Sequence, residues 1–284
     1  NEQTALDLCR RVLGYLPSNH LEDPLAGKPE DPGRLCPVLN NHVPIDASIP
    51  YNMNEVIVQI VDDCSFLEFQ AGFARNVLVG PARMGGQVVG IVAQEPSVMA
   101  GVIDIDAADK MCRFVRWSDC FNIPIVTLVD SPGFLPGVDQ EHRGIIRHGA
   151  KVLYAYSEAT VPKVSIITRK AYGGAYVVMS SKYLGTDVTF AWPSAEIAVM
   201  GPEGAVNILY RKQVEAAEDP AAERARLVQE YRDTYLNPYS AASLGVVDEI
   251  IEPQETRQKV IAALQALRTK AVNPPVRRHG NIPV

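Results

Sequence analysis

Residues 169–176, with the sequence RKAYGGAY, carry the pattern in this chain that most clearly predicts chemistry. A predicted buried strand over residues 164–168 leads into a tight turn at residues 171–174, and a predicted helix follows over residues 175–181. Glycine allows positive φ and a close approach of backbone to ligand, and the first N–H groups of a helix have no partner inside it. Such groups can bind an oxygen on which negative charge develops, so the pattern predicts an oxyanion hole. An ordinary tight connection between strand and helix has the same pattern.

Two further loops follow predicted strands. Residues 130–137 read DSPGFLPG and come directly after an apolar run, residues 125–129, that is typical of a buried strand. Residues 198–205 read AVMGPEGA and lead into another helix. Because open α/β sheets bind ligands at the carboxyl ends of their strands, both loops are candidates for a site. A rigid loop of proline and glycine that only shapes the surface is the alternative.

The sequence offers no side chain that is clearly placed for covalent or acid–base catalysis. It contains no G-x-S-x-G turn, no phosphate-binding loop and no G-x-G-x-x-G after a strand, and Ser131 is interpreted as a turn residue. His142 and His148 lie six positions apart, so they do not share a helix face at i, i+4 spacing. Asp104 and Asp106 suit the start of a helix electrostatically. We therefore predict no metal site.

Composition narrows the class of protein. The 284 residues are 47% hydrophobic and 21% charged, as in an ordinary globular protein. The net charge of -6 argues against a nucleic-acid partner, and no apolar run approaches the roughly 20 residues of a membrane span. The five cysteines form no C-x-x-C pair and are expected to be reduced thiols of a cytosolic protein. The start at Asn1, without a signal pattern, suggests a cut inside a longer chain or a processed one.

The elements that must position these loops alternate between strand and helix. A helical pattern over residues 4–16 precedes a proline-rich connector over residues 17–50, and the glycines near residue 85 predict a hairpin turn. Other predicted strands lie at residues 66–69, 77–79, 88–93, 189–192 and 246–251, and other predicted helices at residues 103–122, 144–158, 220–236 and 253–268. The tail after Lys270 is expected to be extended. The alternation predicts a largely parallel sheet with helices outside.

Several stretches, in the same order along the chain, resemble the C-terminal domain of the biotin-dependent acyl-CoA carboxyltransferases. They are LPSN at 16–19, VVGIVA at 88–93, FNIP at 121–124, PGFLPG at 132–137, GIIRHGAK at 144–151, EATVPK at 158–163, WPSAEIAVMG at 192–201 and the ending HGNIPV at 279–284. The resemblance runs from about Leu13 to the tail. It is to the β subunits of propionyl-CoA carboxylase, the large transcarboxylase subunit and the α subunits of methylmalonyl-CoA decarboxylase.

This resemblance implies a crotonase-like (ClpP/crotonase) α/β fold, a superhelix of repeated β-β-α units. It divides the chain into an N-terminal helix with a proline-rich connector (1–50), the C-terminal carboxyltransferase domain (51–270) and an extended tail (271–284). It also implies an enzyme that moves a carboxyl group between biotin, carried on a separate carrier domain, and a short-chain acyl-CoA of the propionyl-CoA or methylmalonyl-CoA type.

The resemblance implies roles for particular residues. The backbone N–H groups of Gly174 and Ala175 would bind the ureido oxygen of biotin and act as the catalytic oxyanion hole. Val177 stands where relatives with a strong propionyl-CoA preference carry Asp, so it is expected to influence acyl specificity. The residues expected to contact biotin are Pro132, Gly133, Phe134, Tyr172, Gly173 and Tyr176.

The resemblance also implies partners. In this family an N-terminal domain holds the acyl-CoA, and the site forms between the N-terminal domain of one subunit and the C-terminal domain of another. The expected partners are that domain, the biotin carboxyl carrier protein, the biotin carboxylase subunit and further copies in a homo-oligomer, a dimer of domains and a hexamer when complete. We expect no nucleic-acid partner, no direct membrane insertion, and a cytoplasmic location, or the mitochondrial matrix in a eukaryote.

Three alternatives remain open from the sequence. One is the α subunit of a methylmalonyl-CoA decarboxylase that belongs to a sodium pump. Another is an acyl-CoA hydratase or isomerase of the crotonase type, which would need a carboxylate over the thioester that the loops do not supply. The third is a non-catalytic domain that docks a biotin carrier, although the complete glycine loop at residues 173–176 favours a working site.

Overall fold

A seven-stranded mixed sheet forms the centre of the computed structural model, which describes residues 1–273, 276 and 278–284. The strands are β1 (Val77–Met84), β2 (Gln87–Gln94), β3 (Ile125–Ser131), β4 (Lys163–Tyr172), β5 (Val188–Ala191), β6 (Glu196–Ala198) and β7 (Glu249–Ile250). The helices are α1 (Glu2–Leu13), α2 (Leu39–His42), α3 (Met53–Ile60), α4 (Ile105–Cys120), α5 (Val138–Arg143), α6 (Ile145–Glu158), α7 (Gly173–Val178), α8 (Pro202–Leu209), α9 (Arg211–Ala216), α10 (Pro220–Tyr235), α11 (Pro238–Ser243) and α12 (Thr256–Ala266).

The sheet is parallel except at one edge. The main path runs β1-β2-β3-β4-β5-β7, and β6 pairs with the outer end of β4. Only β1 and β2 are antiparallel among the described strand pairs; they are joined at Gly85 and Gly86, whose φ values of 58° and 82° suit a two-residue hairpin turn. The predicted hairpin and the predicted parallel sheet are both confirmed. The parallel register places the carboxyl ends of β3, β4 and β6 at the same end of the sheet, which we call its carboxyl edge.

Helices cover both faces of the sheet. Alternate residues of a strand point to opposite faces, and Ile125 and Val129 of β3 accordingly pack in a core with α4, α6 and α7. Val126 and Leu128 pack in a second core with α3 and α12. Every residue of β3 is buried, as expected of a central parallel strand that is covered on both sides.

The predicted strand at residues 66–69 is not a strand. Leu67 and Phe69 donate backbone hydrogen bonds to the carbonyls of Pro81 and Val79 in β1, at 2.9 and 2.7 Å. Pro81 has no N–H group with which to return a bond, so a continuous ladder does not form along this edge of β1.

The two ends of the chain are the first helix and the tail after Lys270. The first helix begins earlier than residue 4 because the Asn1 side chain accepts a hydrogen bond from the N–H of Thr4 and caps α1. It ends at Leu13, before residue 16, with Gly14 as its C-cap. For the predicted extended tail, residues 274, 275 and 277 lie outside the described residues. Ile282 packs against the core that includes α4 and α6. Within the described parts of the chain, no helix is both long and apolar enough to cross a membrane.

Lys163 is a buried cation on the α6 side of the sheet. Its side chain lies at the start of β4, is 3% exposed, and donates to the carbonyls of Tyr156 and Leu184 at 2.7 and 3.2 Å. Burial, together with the positive charge of Lys270, lowers its pKa to about 8. Because burial disfavours the charged form, the folded state favours the neutral amine.

We predict that this lysine makes the chain more stable as the pH rises. The unfolded state keeps the Lys163 proton up to about pH 10.5 and the folded state loses it near pH 8. Between these values the unfolded state binds more protons, so the free energy of unfolding should rise by about 3 kcal/mol from pH 8 to 10.5. Urea denaturation across this range should show this rise in the wild type and a smaller one in Lys163→Met. A Lys212→Met control, at an exposed lysine of α9, should keep the wild-type slope; equal slopes in all three proteins would contradict the prediction.

Candidate active site

The three loops singled out from the sequence meet at the carboxyl edge of the sheet. Ser131 at the end of β3 pairs with Ala171 in β4. A Cβ atom added to Gly173 would lie 2.8 Å from the carbonyl oxygen of Val199, so the backbones of loops 169–176 and 198–205 are in close contact. Phe134 of loop 130–137 lies beside Gly174, since a Cβ added to Gly174 would be 3.8 Å from the Phe134 ring. The sheet therefore brings together residues that are up to about seventy positions apart in sequence.

The turn between β4 and α7 is sharper than the sequence predicts. The predicted turn at residues 171–174 and the predicted helix at 175–181 are both shifted, since β4 continues through Tyr172 and α7 begins at Gly173. Pairing with β6, which aligns Tyr172 with Ala198, extends the strand. Gly173 makes the change of direction in one residue with φ 57°, a conformation that favours glycine.

The first turn of α7 presents unpaired backbone donors. The N–H groups of Gly174 and Ala175 make no turn, loop or cap hydrogen bond to the described backbone, and as the second and third residues of α7 they have no acceptor inside the helix. Gly174 is exposed and Ala175 is buried, so the chain reaches the surface at the glycine. The helix dipole adds positive potential at this end. These two groups, to which the resemblance assigns an oxyanion hole, can stabilise a negatively charged oxygen.

The loop after β3 is fixed next to these donors. Ile103 and the loop exchange two backbone hydrogen bonds, from Ile103 to the carbonyl of Gly133 at 3.0 Å and from Leu135 to the carbonyl of Ile103 at 2.8 Å. The ring of Phe134 fills the space left by Gly149 in α6, where an added Cβ would be 2.8 Å away. Of the predicted contact residues in this loop, Phe134 lies beside Gly174, and Pro132 and Gly133 precede it in the chain. Pro132 is exposed and the other two are partly buried.

The two predicted tyrosines lie mainly in the interior. Tyr172 is 7% exposed and its hydroxyl donates to the carboxylate of Glu196. Tyr176 is 5% exposed and packs in the core with α6; burial raises its pKa to about 12, and its hydroxyl has no hydrogen-bond partner among the described residues. Val177 is partly buried and lies three positions after Gly174, on the same side of α7.

A buried ion pair supports the edge from beneath, and the sequence analysis did not identify it. Asp130 of β3 is fully buried, and its carboxylate accepts hydrogen bonds from the Arg169 side chain at 3.0 Å and from the N–H of Lys170 at 3.1 Å. Its own N–H donates to the side chain of Gln94 at 3.1 Å. The sequence signal that could have revealed this pair is that Asp130 and Arg169, of opposite charge, follow two neighbouring apolar strands. A charge buried there without a partner would be very costly.

Arg169 also ties the proline-rich connector to the site. Its guanidinium donates to the carbonyls of Asp46 and Ile49 at 3.1 and 2.9 Å and lies 4.9 Å from the centre of the Tyr51 ring. The hydroxyl of Tyr51 in turn bonds to Thr168 at 3.2 Å. Burial raises the pKa of Tyr51 well above its usual value, so this hydroxyl stays neutral. The connector is thus a structural support of the sheet edge.

One charged cluster lies near the edge without joining it. The Asp109 carboxylate of α4 lies 2.9 Å from the imidazole of His148 and 3.0 Å from the ammonium of Lys151 in α6. Burial acts to raise the pKa of Asp109, but the hydrogen bonds from His148 and Lys151 outweigh it and hold that pKa below its usual value. No group of three or more His, Cys, Asp or Glu side chains in the described chain is arranged to hold a metal ion.

Comparison with known proteins gives one consistent result. The family model described as the carboxyl transferase domain matches residues 1–282. The whole chain is 56% identical to the propionyl-CoA carboxylase carboxyltransferase subunit of Haloferax mediterranei and 51% identical to the methylmalonyl-CoA decarboxylase α subunit of Propionigenium modestum, and it covers 55% of each. It is 50% identical over 97% of its length to the methylmalonyl-CoA carboxyltransferase 12S subunit of Propionibacterium freudenreichii, and it covers 53% of that subunit.

Solved structures agree with the sequence comparison. The transcarboxylase 12S structure superimposes with a TM-score of 0.94 at 50% identity, over 97% of this chain and 53% of that one. A single-chain, multi-domain long-chain acyl-CoA carboxylase gives a TM-score of 0.77 at 28% identity, over 91% of this chain and 26% of that one. The predicted crotonase-like α/β fold is confirmed. The chain spans about half the length of the curated relatives that it matches.

The buried ion pair leads to a prediction about stability. Asp130→Asn keeps the shape of the side chain but leaves the Arg169 guanidinium buried without its counter-charge, which should lower the free energy of unfolding by about 3–5 kcal/mol. Urea denaturation near pH 7 measures this change.

The matched control is Asp139→Asn. That carboxylate is exposed and pairs with Arg143 at 3.4 Å on the surface of α5, so its loss should cost less than about 1 kcal/mol. Equal effects of the two substitutions would show that the buried pair does not hold the edge together.

Proposed function

The chain belongs to the carboxyl transferase domain family, and we propose that it supplies the biotin-binding half of a site that moves a carboxyl group between biotin and a short-chain acyl-CoA. The observation that carries this proposal is the pair of first-turn N–H groups of α7, at Gly174 and Ala175, which have no acceptor inside the helix and lie at the carboxyl edge of the sheet. The family resemblance assigns an oxyanion hole to these two positions, and the local geometry supports that assignment.

The residues at the edge fit a biotin ring. The ureido group of biotin is flat and ends in a carbonyl oxygen that accepts hydrogen bonds. Gly174 leaves room beside the Phe134 ring, which lies 3.8 Å from the position that a Cβ would take. Pro132 and Gly133, which precede Phe134 in the same loop, carry no charged side chain. A flat, uncharged ring can therefore lie against Phe134 while its oxygen faces the start of α7.

The chain contributes electrostatic stabilisation to the proposed reaction. Bound biotin supplies the carboxyl group that is transferred and the ureido nitrogen that carries it. The N–H groups of Gly174 and Ala175 stabilise negative charge on the ureido oxygen, and they do so without rearrangement because β4 and α7 hold them in place. The carboxylate of Asp130 is fully buried and bonded to Arg169 and Lys170. It is thus a poor candidate for the general base that a hydratase or isomerase of the crotonase type would require.

The other half of the site belongs to a partner in this proposal. An N-terminal carboxyltransferase domain, on the same or another subunit, holds the acyl-CoA. Apolar side chains are exposed in the elements that border the edge, at Val138, Ile146, Val199, Ile208 and Leu209, and such a surface is typical of an interface. A biotin carboxyl carrier protein brings biotin to the site, and a biotin carboxylase subunit loads it. The complete enzyme is a homo-oligomer, a dimer of domains that assembles as a hexamer, in the cytoplasm or, in a eukaryote, the mitochondrial matrix.

The relatives' names share one step, the transfer of a carboxyl group to or from an acyl-CoA. These names describe a carboxylase, a decarboxylase and a transcarboxylase subunit at 50% to 56% identity. The three differ in which partner donates or receives the carboxyl group. A methylmalonyl-CoA decarboxylase of a sodium pump is therefore the second candidate, and it would use the same site.

We expect Gly174→Val to abolish turnover by the assembled enzyme. The branched side chain would press on Phe134 and displace the N–H donors, and the loss of one such donor typically costs about 10²–10³-fold in kcat. The assay follows the decarboxylation of methylmalonyl-CoA with free biotin by this chain combined with its presumed N-terminal half. Gly174→Ala should be much less harmful, because its Cβ makes only ordinary contact with the ring.

The control for this experiment is Gly72→Ala, since an added Cβ at this exposed position outside the three loops meets no atom within 4 Å, and it should leave turnover unchanged. Biotin-dependent turnover that requires both halves would support the proposal. Full activity of Gly174→Val would contradict it. An assembled, folded wild type without turnover would instead favour a domain that only docks a biotin carrier.

Val177 leads to a prediction about acyl specificity. Its position on the Gly174 side of α7, with its own carbonyl bonded to the Ser181 hydroxyl at 2.8 Å, allows a change of side chain without loss of the helix. Val177→Asp should change the ratio of kcat/KM for propionyl-CoA over acetyl-CoA in favour of propionyl-CoA, by about 10-fold or more. The measurement compares both substrates in the assembled enzyme. An unchanged ratio would exclude Val177 from the acyl pocket.

A further inference from the structure

We infer that Glu196 is a positioning residue, which acts through Tyr172 to hold the N–H donors of Gly174 and Ala175 in place. This inference rests on the proposed function, because it concerns the same oxyanion hole. Glu196 lies outside the three loops that meet at the candidate site.

Tyr172 is held at three points. Its backbone pairs with Ala198 in the β4–β6 ladder. Its hydroxyl donates to the carboxylate of Glu196, which lies on the same strand β6. Its ring lies against Gly201, where an added Cβ would be 3.4 Å from the ring edge. With backbone, ring and hydroxyl all fixed, this last residue of β4 has little freedom to rotate.

The donors follow Tyr172 directly in the chain. Gly173 comes next and turns the backbone with φ 57°, and there is no room for a Cβ because the carbonyl of Val199 would be 2.8 Å away. Gly174 and Ala175 are the two following residues. A rotation of the Tyr172 backbone is therefore transmitted through one glycine to both N–H groups. Since oxyanion donors must lie about 2.7–3.1 Å from the oxygen that they stabilise, a small displacement is costly.

Glu196 is well placed to keep the Tyr172 hydroxyl bonded. Its second carboxylate oxygen lies 3.4 Å from the Arg232 side chain of α10, and in the ladder it stands opposite Lys170 of β4. A carboxylate is a strong hydrogen-bond acceptor for the Tyr172 hydroxyl. Burial, followed by the hydrogen bond and charge of Glu196, raises the pKa of Tyr172 far above its usual value. The phenol therefore stays protonated and remains a donor.

The experiment compares variants of the assembled enzyme in biotin-dependent decarboxylation of methylmalonyl-CoA. Glu196→Ala should lower kcat by about tenfold or more, while the KM for the acyl-CoA stays within about twofold because that substrate is held by the other half. Glu196→Gln should recover most of kcat, since its amide oxygen still accepts the hydrogen bond of Tyr172. Tyr172→Phe should match Glu196→Ala, and the double variant should be no slower than either, because both remove one interaction.

The matched control is Glu230→Ala. Glu230 also pairs with an arginine of α10, Arg226 at 2.8 Å, but it lies outside the three loops and makes no hydrogen bond to Tyr172, so kcat should not change. The inference is wrong if Glu196→Ala retains kcat within about twofold of wild type, or if Glu196→Gln is as impaired as Glu196→Ala. Thermal unfolding of each variant keeps a folding defect separate from a change in kcat. A wild type without biotin-dependent turnover would contradict the proposed function, and this inference with it, whereas an active wild type with unaffected variants contradicts this inference alone.

Discussion

The buried ion pair between Asp130 and Arg169 is the interaction on which the sheet edge depends. Two charges taken out of water are tolerated only when they are paired and their remaining hydrogen-bonding groups are satisfied. Here Asp130 also receives the N–H of Lys170, and Arg169 also donates to connector carbonyls. The pair therefore fixes the ends of β3 and β4 relative to each other, and with them the starts of two of the three loops that meet at the candidate site. It also explains why a proline-rich connector with little secondary structure has a defined position.

This arrangement suits a site that works through its main chain. The N–H groups of Gly174 and Ala175 carry no side chain that could be tuned, so their usefulness depends entirely on where the backbone runs. The backbone is in turn set by the β4–β6 ladder, by the single left-handed residue Gly173 and by the packing of Phe134 between α6 and α7. Rigid strands and a short helix position such donors better than a free loop would.

The sequence revealed the parts of this site that depend on local chemistry. The two glycines, the Pro-Gly loop and the hairpin at Gly85 are determined by backbone conformation, which is visible in residue types alone. The extension of β4 to Tyr172 was missed because it requires β6, which is three residues long and follows 24 positions later. The Asp130–Arg169 pair was also missed, and the strand predicted at residues 66–69 was wrong. Each depends on which residue lies opposite in space, a quantity that single-sequence patterns do not contain.

The contacts that hold the candidate site in place all lie within this one chain. Asp130 is bonded to Arg169, and Glu196 lies between Tyr172 and Arg232, all through contacts within this chain. The donors at the start of α7 are therefore already in place before any partner contacts the exposed apolar residues around the edge. Under the proposed function, a partner would have to supply only the position of the acyl-CoA, and docking would cost no rearrangement of these donors. Such preorganisation suits a site whose two substrates would arrive on different protein surfaces, because the geometry on one side could not depend on the arrival of the other.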